Sequence, residues 1–251
     1  MTDDQHIGER LARIEAAIER LTTLVGQQHA ALLREIDNNI FDIHRNIQSR
    51  ACQDSAEYVH RHMQGVPRFD DRVAFLRNVA ELARQLSGDV LEFGVSGGVS
   101  LKLFCEALPD RRVYGFDSFQ GLPEDWYLTT KKGAYAYAAE DLTVPPNGVL
   151  VPGLFEDSLP KFLEGFAGPV SMIHIDSDVY SSAVTVLRHV RPLIAPGCLI
   201  VFDEYMNYAS WRDHEFKAWR EFVSAHAVRY EYIGYTRRGF QCAVRVTAIG
   251  Q

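Results

Sequence analysis

The sequence predicts an α/β fold in which a doubly wound, mostly parallel seven-stranded sheet ends in an antiparallel hairpin. A coiled-coil-like helix precedes this sheet. From residue 89 onward, apolar β-rich runs alternate with helical patterns, which is typical of a parallel sheet covered by helices. The last two β-rich runs have no helix between them and therefore predict the hairpin. Residues 3–48 lack proline and have a strong helical period, which predicts the N-terminal helix.

Residues 1–48 are predicted to be an oligomerisation helix. Apolar residues recur in alternating steps of four and three, as in the seam of a coiled coil. The repeat slips near Gly26 and His29, as at a stutter, and then resumes. This seam comprises Ile7, Leu11, Ile14, Ile18, Leu21, Val25, Leu33, Ile36, Ile40, Ile43 and Ile47. We expect a homo-oligomer through this helix; the alternative is an amphipathic helix that packs on its own domain.

Residues 49–88 are predicted to be a helical lead-in of two helices, interrupted near Gly65 and Pro67. The remaining segment, 89–251, carries the sheet and is expected to hold the functional site. Strands are predicted at 89–94, 111–117, 148–152, 169–176 and 197–203, with hairpin strands at 229–235 and 240–246. Helices are predicted at 99–108, 158–166, 180–194 and 212–226.

The composition excludes several classes of protein. The 251 residues are 47% hydrophobic, which suffices for one large α/β domain and an appendage. A net charge of −7 without a Lys/Arg-rich run argues against a nucleic-acid partner. No apolar run approaches the roughly 20 residues of a membrane helix, and the N-terminus is unlike a secretory signal. The four cysteines are far apart in sequence, so free thiols and a cytoplasmic protein are expected, with a scattered disulfide or zinc site as the alternative.

A predicted strand, a glycine-rich turn and a helix follow one another at the start of the sheet domain. Gly94 and Gly98 allow positive φ and close approach of the backbone to a ligand. The start of the following helix offers unpaired N–H groups, so the turn predicts a site for a nucleotide-like cofactor. Asp117 ends the next strand and can accept ribose hydroxyls, which S-adenosylmethionine (SAM) and NAD both carry. The alternative is that Asp117 forms a turn cap with Ser118.

Two further strands end in acidic residues. Asp176 and Asp178 follow one apolar run, and Asp203 and Glu204 follow another. The carboxyl ends of parallel strands line the ligand crevice of an open α/β sheet, so these four carboxylates are expected to converge. Converging carboxylates repel one another unless they are protonated or share a cation, and oxygen ligands suit Mg²⁺ or Ca²⁺. The alternative for any one of them is a helix cap.

These motifs together resemble the macrocin O-methyltransferase family, class I SAM-dependent enzymes that methylate sugar hydroxyls of natural products. The matching stretches are 92–95 with Gly98, 117–123, 152–160, 174–180, 196–205, Lys217-Ala218 and Glu221-Phe222. They lie in the family's order and cover most of residues 89–251, which the resemblance makes a Rossmann-like SAM-dependent methyltransferase domain. The resemblance implies methyl transfer from SAM to a hydroxylated small molecule, with a sugar as the expected acceptor.

The resemblance also assigns roles to individual residues. Glu92, Gly94 and Gly98 are expected to shape the methionine pocket, Asp117 to hold the ribose, and Ser118 with Phe155 to border the adenine. Ser100 and Asp176 complete the expected cofactor-binding set. Mg²⁺ is expected on Asp176, Asp203 and Glu204, where the family usually has Asp-Asp rather than Asp-Glu in the second pair. Asp178 is the expected general base.

Alternatives remain for the residues that would bind the acceptor and for the function. The segment 126–139 is a candidate lid. Tyr205, Tyr208, Trp211 and His214 are candidates for stacking on an acceptor, with core packing as the alternative. His174 lies inside an apolar strand and is expected to be a hydrogen-bonded core residue. The competing functions are a catechol-type methyltransferase, an NAD-dependent oxidoreductase and a non-catalytic SAM-binding assembly protein.

Overall fold

The computed structural model describes residues 2–250, with side chains described for all of these except residues 2–5 and 39. The chain divides after Ser49 into two compact units, which are described separately. No helix within residues 2–250 has an apolar stretch long enough to cross a membrane.

The first unit is helical, as predicted. Helix α1 (Thr2–Phe41) runs through Gly26 without interruption, and α2 (Ile43–His62) begins after Asp42. The interruption is local, because the Asp42 N–H still bonds to the Asn38 carbonyl at 3.0 Å. The apolar side chains of the predicted seam are all between 40% and 73% exposed. The first unit thus presents a continuous stripe of unburied Ile, Leu and Val side chains.

The second unit opens with the remainder of α2, a two-residue strand β1 (Arg68–Phe69) and helix α3 (Arg72–Arg84). The chain leaves α2 close to the interruption that Gly65 and Pro67 predict. Asp71 caps α3 by accepting the Ala74 N–H at 2.8 Å, so the helix begins directly at Arg72. Five apolar residues of α3 are buried on one face, which fits a helix packed against the sheet.

The remaining elements alternate along the chain as predicted. The strands are β2 (Asp89–Phe93), β3 (Val113–Asp117), β4 (Gly148–Pro152), β5 (Val170–Ile175), β6 (Leu199–Phe202), β7 (Arg229–Thr236) and β8 (Cys242–Ala248). The helices are α4 (Val99–Ala107), α5 (Phe155–Gly165), α6 (Tyr180–Val190) and α7 (Glu215–Ala225). The largest shift from prediction is at the end of α6, where a 3₁₀ turn (Arg191–Leu193) follows Val190.

The strands form one sheet in the order β1-β7-β8-β6-β5-β2-β3-β4. Strands β6, β5, β2, β3 and β4 are parallel neighbours, and β8 lies antiparallel between β6 and β7. The predicted fold class is therefore confirmed: a mostly parallel doubly wound sheet with an antiparallel hairpin. The short β1 pairs with β7 and adds an eighth strand to the seven predicted.

The strand order positions the functional crevice. From β2 the chain winds to β3 and β4 on one side, and β5 and β6 lie on the other side of β2. The winding direction therefore changes between β2 and β5, which is where ligands bind in open α/β sheets. Every residue of β5 and β6 is buried, because helices cover both faces of these strands. The loops after β2 and β5 thus meet at one end of a rigid core.

Candidate active site

A cavity of about 620 Å³ opens at the carboxyl ends of β2, β3, β5 and β6. It is lined by the loops that follow these strands, by the first residue of α3, by the segment between β3 and β4 and by the residues that follow β4. The lining residues include Arg72, Gly94, Val95, Ser96, Asp117, Ser118, Trp126, Tyr127, Tyr135, Phe155, Asp176, Asp178, Asp203 and Glu204. The acidic strand ends therefore share one cavity with the glycine-rich turn, as their places in the sequence predict.

The glycine-rich turn is held closed by Asp117. One Asp117 carboxylate oxygen accepts the backbone N–H groups of Val95 and Ser96 at 2.7 and 2.8 Å. The other oxygen accepts the Phe119 N–H at 2.7 Å. A carboxylate has about four acceptor positions, so three are used and one is left for a ligand hydroxyl. Asp117 thus acts partly as the turn cap considered above, while its carboxylate still lines the cavity.

Gly94 has a backbone that no other residue fits. Its φ is +97°, and a Cβ placed on it would lie 1.7 Å from the carbonyl oxygen of Asp176. The turn after β2 and the end of β5 are therefore in direct backbone contact. This contact brings the predicted cofactor turn next to the predicted metal-binding carboxylates.

The expected cofactor residues fall into two groups. Gly94, Asp117, Ser118, Phe155 and Asp176 line the cavity. Glu92, Gly98 and Ser100 are not among its lining residues: Glu92 is fully buried in β2, and Ser100 is buried in α4. Gly98, with φ of +73°, forms the N-terminal boundary of α4. Glu92, Gly98 and Ser100 therefore belong to the elements on either side of the turn and not to the cavity wall.

Beneath the cavity, a buried histidine lies between two acidic side chains. The His174 ring lies between two carboxylates, with Nδ1 3.1 Å from Glu92 Oε1 and Nε2 3.3 Å from Asp203 Oδ1. Burial disfavours the charged imidazole, but the hydrogen bonds to Asp203 and Glu92 outweigh it and raise the His174 pKa to about 10. His174 is therefore a hydrogen-bonded core residue, as its place inside an apolar strand predicts.

Asp203 is the most fully bonded carboxylate of the site. Arg72 Nε lies 2.8 and 2.9 Å from its two oxygens, and Gln241 Nε2 donates to Oδ2 at 3.0 Å. Burial opposes its ionisation, but the His174 hydrogen bond and the Arg72 charge prevail and hold the Asp203 pKa at about 2. Arg72 also donates from Nη2 to Asp176 Oδ2 at 2.7 Å. One guanidinium thus joins the ends of β5 and β6.

A cluster of three carboxylates includes the Asp176 carboxylate that Arg72 contacts. One oxygen each of Asp176, Asp178 and Glu204 lies within 4.8 Å of the others. Glu204 Oε2 is buried without a hydrogen-bond partner. Burial and the charge of Asp203 raise the pKa of Asp178 to about 7, and burial with the charge of Asp178 raises that of Glu204 well above its usual range. This donor set fits a hard divalent cation, which would relieve both the repulsion and the unpaired oxygen.

The predicted metal set was Asp176, Asp203 and Glu204. Asp176 and Glu204 belong to the group of three carboxylates, whereas Asp203 forms a second group with Asp176 and His174. That second group already holds the Arg72 guanidinium. Asp178 has φ of +61°, a left-handed conformation that is tolerated by Asp but strained.

Glu215 joins the two acidic loops from below. Its Oε1 accepts the Ser177 N–H at 3.1 Å, and its Oε2 accepts the Glu204 N–H at 3.0 Å. Glu215 is fully buried at the start of α7, and this burial raises its pKa to about 8. By bonding to both loops it fixes the spacing between the ends of β5 and β6.

The segment between β3 and β4 covers the cavity without forming a regular helix or strand before residue 139. Trp126, Tyr127 and Tyr135 contribute to the cavity wall. The Ser96 hydroxyl donates to the Tyr135 carbonyl at 3.2 Å, which ties this segment to the glycine-rich turn. The predicted lid segment is therefore part of the cavity wall.

The aromatic residues after β6 are mainly core residues. Tyr205, Tyr208 and Trp211 are at most 2% exposed and do not line the cavity. His214 is partly buried, and its ring stacks on Tyr208 with centroids 6.2 Å apart. These positions follow the alternative of core packing, and the aromatic wall of the cavity comes instead from the segment after β3.

Sequence reasoning missed Arg72, Glu215 and Gln241. Arg72 is 131 positions from Asp203, Gln241 is 38 positions from it, and Glu215 is 38 positions from Ser177 and 11 from Glu204. No local pattern marks them as site residues. Arg72 and Glu215 are each the first residue of a helix in the structure, a position that the predicted helix bounds did not give them.

Comparison with known proteins identifies the domain. Residues 91–205 match the sequence family described as a methyltransferase domain. The chain is 29% identical over 167 residues to the 8-demethyl-8-(2,3-dimethoxy-alpha-L-rhamnosyl)-tetracenomycin-C 4'-O-methyltransferase of Streptomyces olivaceus, covering 57% of this chain and 62% of that protein. It is 30% identical over 178 residues to the mycinamicin III 3''-O-methyltransferase of Micromonospora griseorubida, covering 61% and 66%. It thus spans a little under two thirds of these relatives' lengths.

Solved structures share the fold. A calicheamicin methyltransferase superposes with a TM-score of 0.57 at 23% identity, covering 69% of this chain and 77% of that one. The O-methyltransferase NovP superposes with a TM-score of 0.55 at 22% identity, covering 70% and 80%. The curated relatives are O-methyltransferases of natural products, so the resemblance to the macrocin-type family is confirmed. A methyltransferase domain is likewise found over residues 91–205, and the predicted bounds of 89–251 stay a prediction.

Proposed function

We propose that this chain, with its domain related to natural-product O-methyltransferases, is a SAM-dependent O-methyltransferase acting on a small-molecule hydroxyl. A sugar of a natural product or glycan is the proposed acceptor class. The observation that carries the proposal is that one cavity contains both the Asp117-closed turn and the Asp178 carboxylate. The names of the relatives support the sugar, since one is a rhamnosyl 4'-O-methyltransferase.

The donor side of the cavity suits SAM. Asp117 retains one acceptor position for a ribose hydroxyl, and Ser118 and Phe155 flank it along the cavity wall. Gly94 has no side chain, so the backbone of the turn can lie directly between the cavity and the end of β5. SAM supplies a sulfonium methyl group that an oxygen nucleophile attacks in line.

On the acceptor side, Asp178 is the proposed general base. A sugar hydroxyl is a poor nucleophile until its proton leaves, and a carboxylate with a pKa near 7 is suited to take that proton at neutral pH. Trp126, Tyr127 and Tyr135 would exclude water and orient the acceptor oxygen toward the methyl group. Glu215 would keep the loop that carries Asp178 in register with the loop that carries Glu204.

Mg²⁺ is the proposed metal, and Asp176 and Glu204 are the residues proposed to hold it. The buried, unpaired Glu204 Oε2 supports this, because an oxyanion in that position requires a cation or a proton. A bound Mg²⁺ lowers the pKa of a hydroxyl that it contacts. Glu in place of the family's Asp reaches one carbon further, and the oxygens of Glu204 and Asp176 still approach each other within 4.8 Å.

An acceptor panel tests the enzymatic proposal. The purified chain is incubated with SAM, Mg²⁺ and rhamnosides, rhamnosylated natural products or catechols, and S-adenosylhomocysteine and methylated products are measured by mass spectrometry. We expect methylation of sugar hydroxyls. Methylation of catechols alone would favour the catechol-type alternative. Binding of SAM without turnover on any acceptor would favour an assembly protein, and binding of NAD instead of SAM would favour an oxidoreductase.

We also propose that residues 1–48 join copies of this chain in a parallel coiled coil. Its exposed seam supplies the apolar positions, with Ile14 at a d position and Ile18 at an a position. In a parallel arrangement, Arg10 at g faces Glu15 at e of a second copy, which is an attractive pair. Within residues 2–250 no cysteine forms a disulfide, which supports a reducing, cytoplasmic location for this oligomer.

A further inference from the structure

The two carboxylates that follow β6, those of Asp203 and Glu204, differ in their hydrogen bonding. Both oxygens of Asp203 are hydrogen-bonded: the single Arg72 Nε–H is shared between Oδ1 and Oδ2, Gln241 donates to Oδ2, and His174 Nε2 lies 3.3 Å from Oδ1. Three nitrogen atoms therefore surround the Asp203 carboxylate, and the nearest of them belongs to the positively charged Arg72 guanidinium. A cation that bound Asp203 would have to share this carboxylate with the Arg72 guanidinium, which already compensates its charge.

Glu204 and Asp178 have no such partners. Glu204 is 7% exposed, and its Oε2 has no hydrogen-bond partner. Among the described residues, no group donates a hydrogen bond to the Asp178 carboxylate. Both carboxylates line the cavity, and their oxygens lie within 4.8 Å of an oxygen of Asp176. The open acceptor positions of the site are therefore on Asp178 and Glu204.

Asp176 links the two groups. Its Oδ2 accepts the Arg72 Nη2 at 2.7 Å, which leaves further acceptor positions on the same carboxylate. Arg72 supplies a positive charge to Asp203, and the His174 ring lies between Glu92 and Asp203. Among the described residues, the carboxylates of Asp176, Asp178 and Glu204 receive a single ion pair, the one from Arg72 to Asp176.

We infer that the divalent cation is held by Asp176, Asp178 and Glu204, and that Asp203 is not a ligand but a positioning residue that anchors Arg72. Arg72 occupies the place of a cation between Asp176 and Asp203 and holds Asp176 at the edge of the metal site. This inference rests on the proposed Mg²⁺ dependence.

The test measures Mg²⁺ binding to the purified full chain by calorimetry, without an acceptor. The decisive variant is the double substitution Arg72→Gln with Asp203→Asn, which removes one positive and one negative charge and so preserves the net charge of the site. We expect its Mg²⁺ affinity to stay within about tenfold of the original protein, the lower limit for loss of an outer-shell partner. Asp178→Asn is expected to lose more than about 100-fold, beyond the range for such partners.

A second measurement requires no substitution. Crystals of the original protein soaked in Mn²⁺ would locate the ion by anomalous scattering, and we expect it on the oxygens of Asp176, Asp178 and Glu204, with Arg72 still bound to Asp203. An ion on Asp203, or loss of affinity in the double variant that matches Asp178→Asn, would overturn the ligand assignment alone. No Mg²⁺ binding by the original protein would overturn the assignment and the proposed metal dependence together, while the acceptor panel would still test methyl transfer.

Discussion

The Asp117 carboxylate at the end of β3 accepts the backbone N–H of Ser96, 21 positions earlier, at 2.8 Å. Ser96 has φ of +44°, so a non-glycine residue is held in the left-handed region at the tip of the glycine-rich turn. The same oxygen accepts the Val95 N–H. The shape of the turn after β2 therefore depends on a side chain of the neighbouring strand as well as on its glycines.

Replacing this carboxylate should damage both folding and cofactor binding. Asp117→Ala leaves the N–H groups of Val95, Ser96 and Phe119 without their acceptor, and we expect a loss of about 1–3 kcal/mol in the free energy of unfolding. S-adenosylhomocysteine binding should weaken by roughly 10- to 150-fold, as expected for removal of a charged acceptor. Urea denaturation and calorimetry measure the two effects. Asp110→Ala, at an exposed turn, is the matched control and should change neither.

Gly94 should tolerate no side chain. Gly94→Ala places a Cβ 1.7 Å from the Asp176 carbonyl at a φ of +97°, so the backbone of both loops must shift. We expect a loss of at least about 3 kcal/mol in the free energy of unfolding. Gly165→Ala is the control, since nothing lies within 4 Å of a Cβ at this helical position. It should be neutral or stabilise by about 0.5–1 kcal/mol. A mild effect at Gly94 would contradict the observed contact.

The sequence predicts the fold better than the site, for a physical reason. Alternating apolar runs determine the parallel sheet, and strand ends determine where Asp176, Asp178, Asp203 and Glu204 meet. No local sequence pattern shows which hydrogen-bond donor pairs with which carboxylate. That depends on Arg72 and Gln241, which reach the site through the tertiary fold from the lead-in and the hairpin. Aromatic residues after β6 likewise enter the core, because burial there depends on α2 and α7.

Asp178 should be required for turnover and dispensable for SAM binding. Asp178→Asn keeps the shape of the side chain but cannot accept a proton, so we expect kcat to fall by about 10²- to 10⁴-fold. The affinity for S-adenosylhomocysteine should stay within about threefold of that of the original protein, a smaller change than the loss of one hydrogen bond would cause. Single-turnover methyl transfer at saturating SAM measures the first effect, and Asp110→Asn is the control. Normal turnover in Asp178→Asn would remove this residue from the base role.

The cysteines should differ sharply in reactivity. Cys52 is exposed, whereas Cys105, Cys198 and Cys242 are buried. Burial raises the pKa of Cys105 to about 11 and that of Cys198 to about 12, so neither forms a thiolate at neutral pH. With a disulfide reagent at pH 8, we expect one fast thiol in the native protein and four after unfolding. The Cys52→Ser variant should lose the fast phase; two or more fast thiols in the native protein would contradict the buried positions.

The N-terminal seam should set the oligomeric state. Isoleucine at both a and d positions favours three or four strands over two in parallel coiled coils. Light scattering after gel filtration should therefore give about three or four times the chain mass of 28.4 kDa. Ile14→Glu with Ile18→Glu places two carboxylates in the seam and should yield monomers. Ala12→Glu with Gln27→Glu adds the same charge on other faces of α1 and should leave the mass unchanged. A monomeric original protein, or equal masses for the two variants, would contradict the coiled coil.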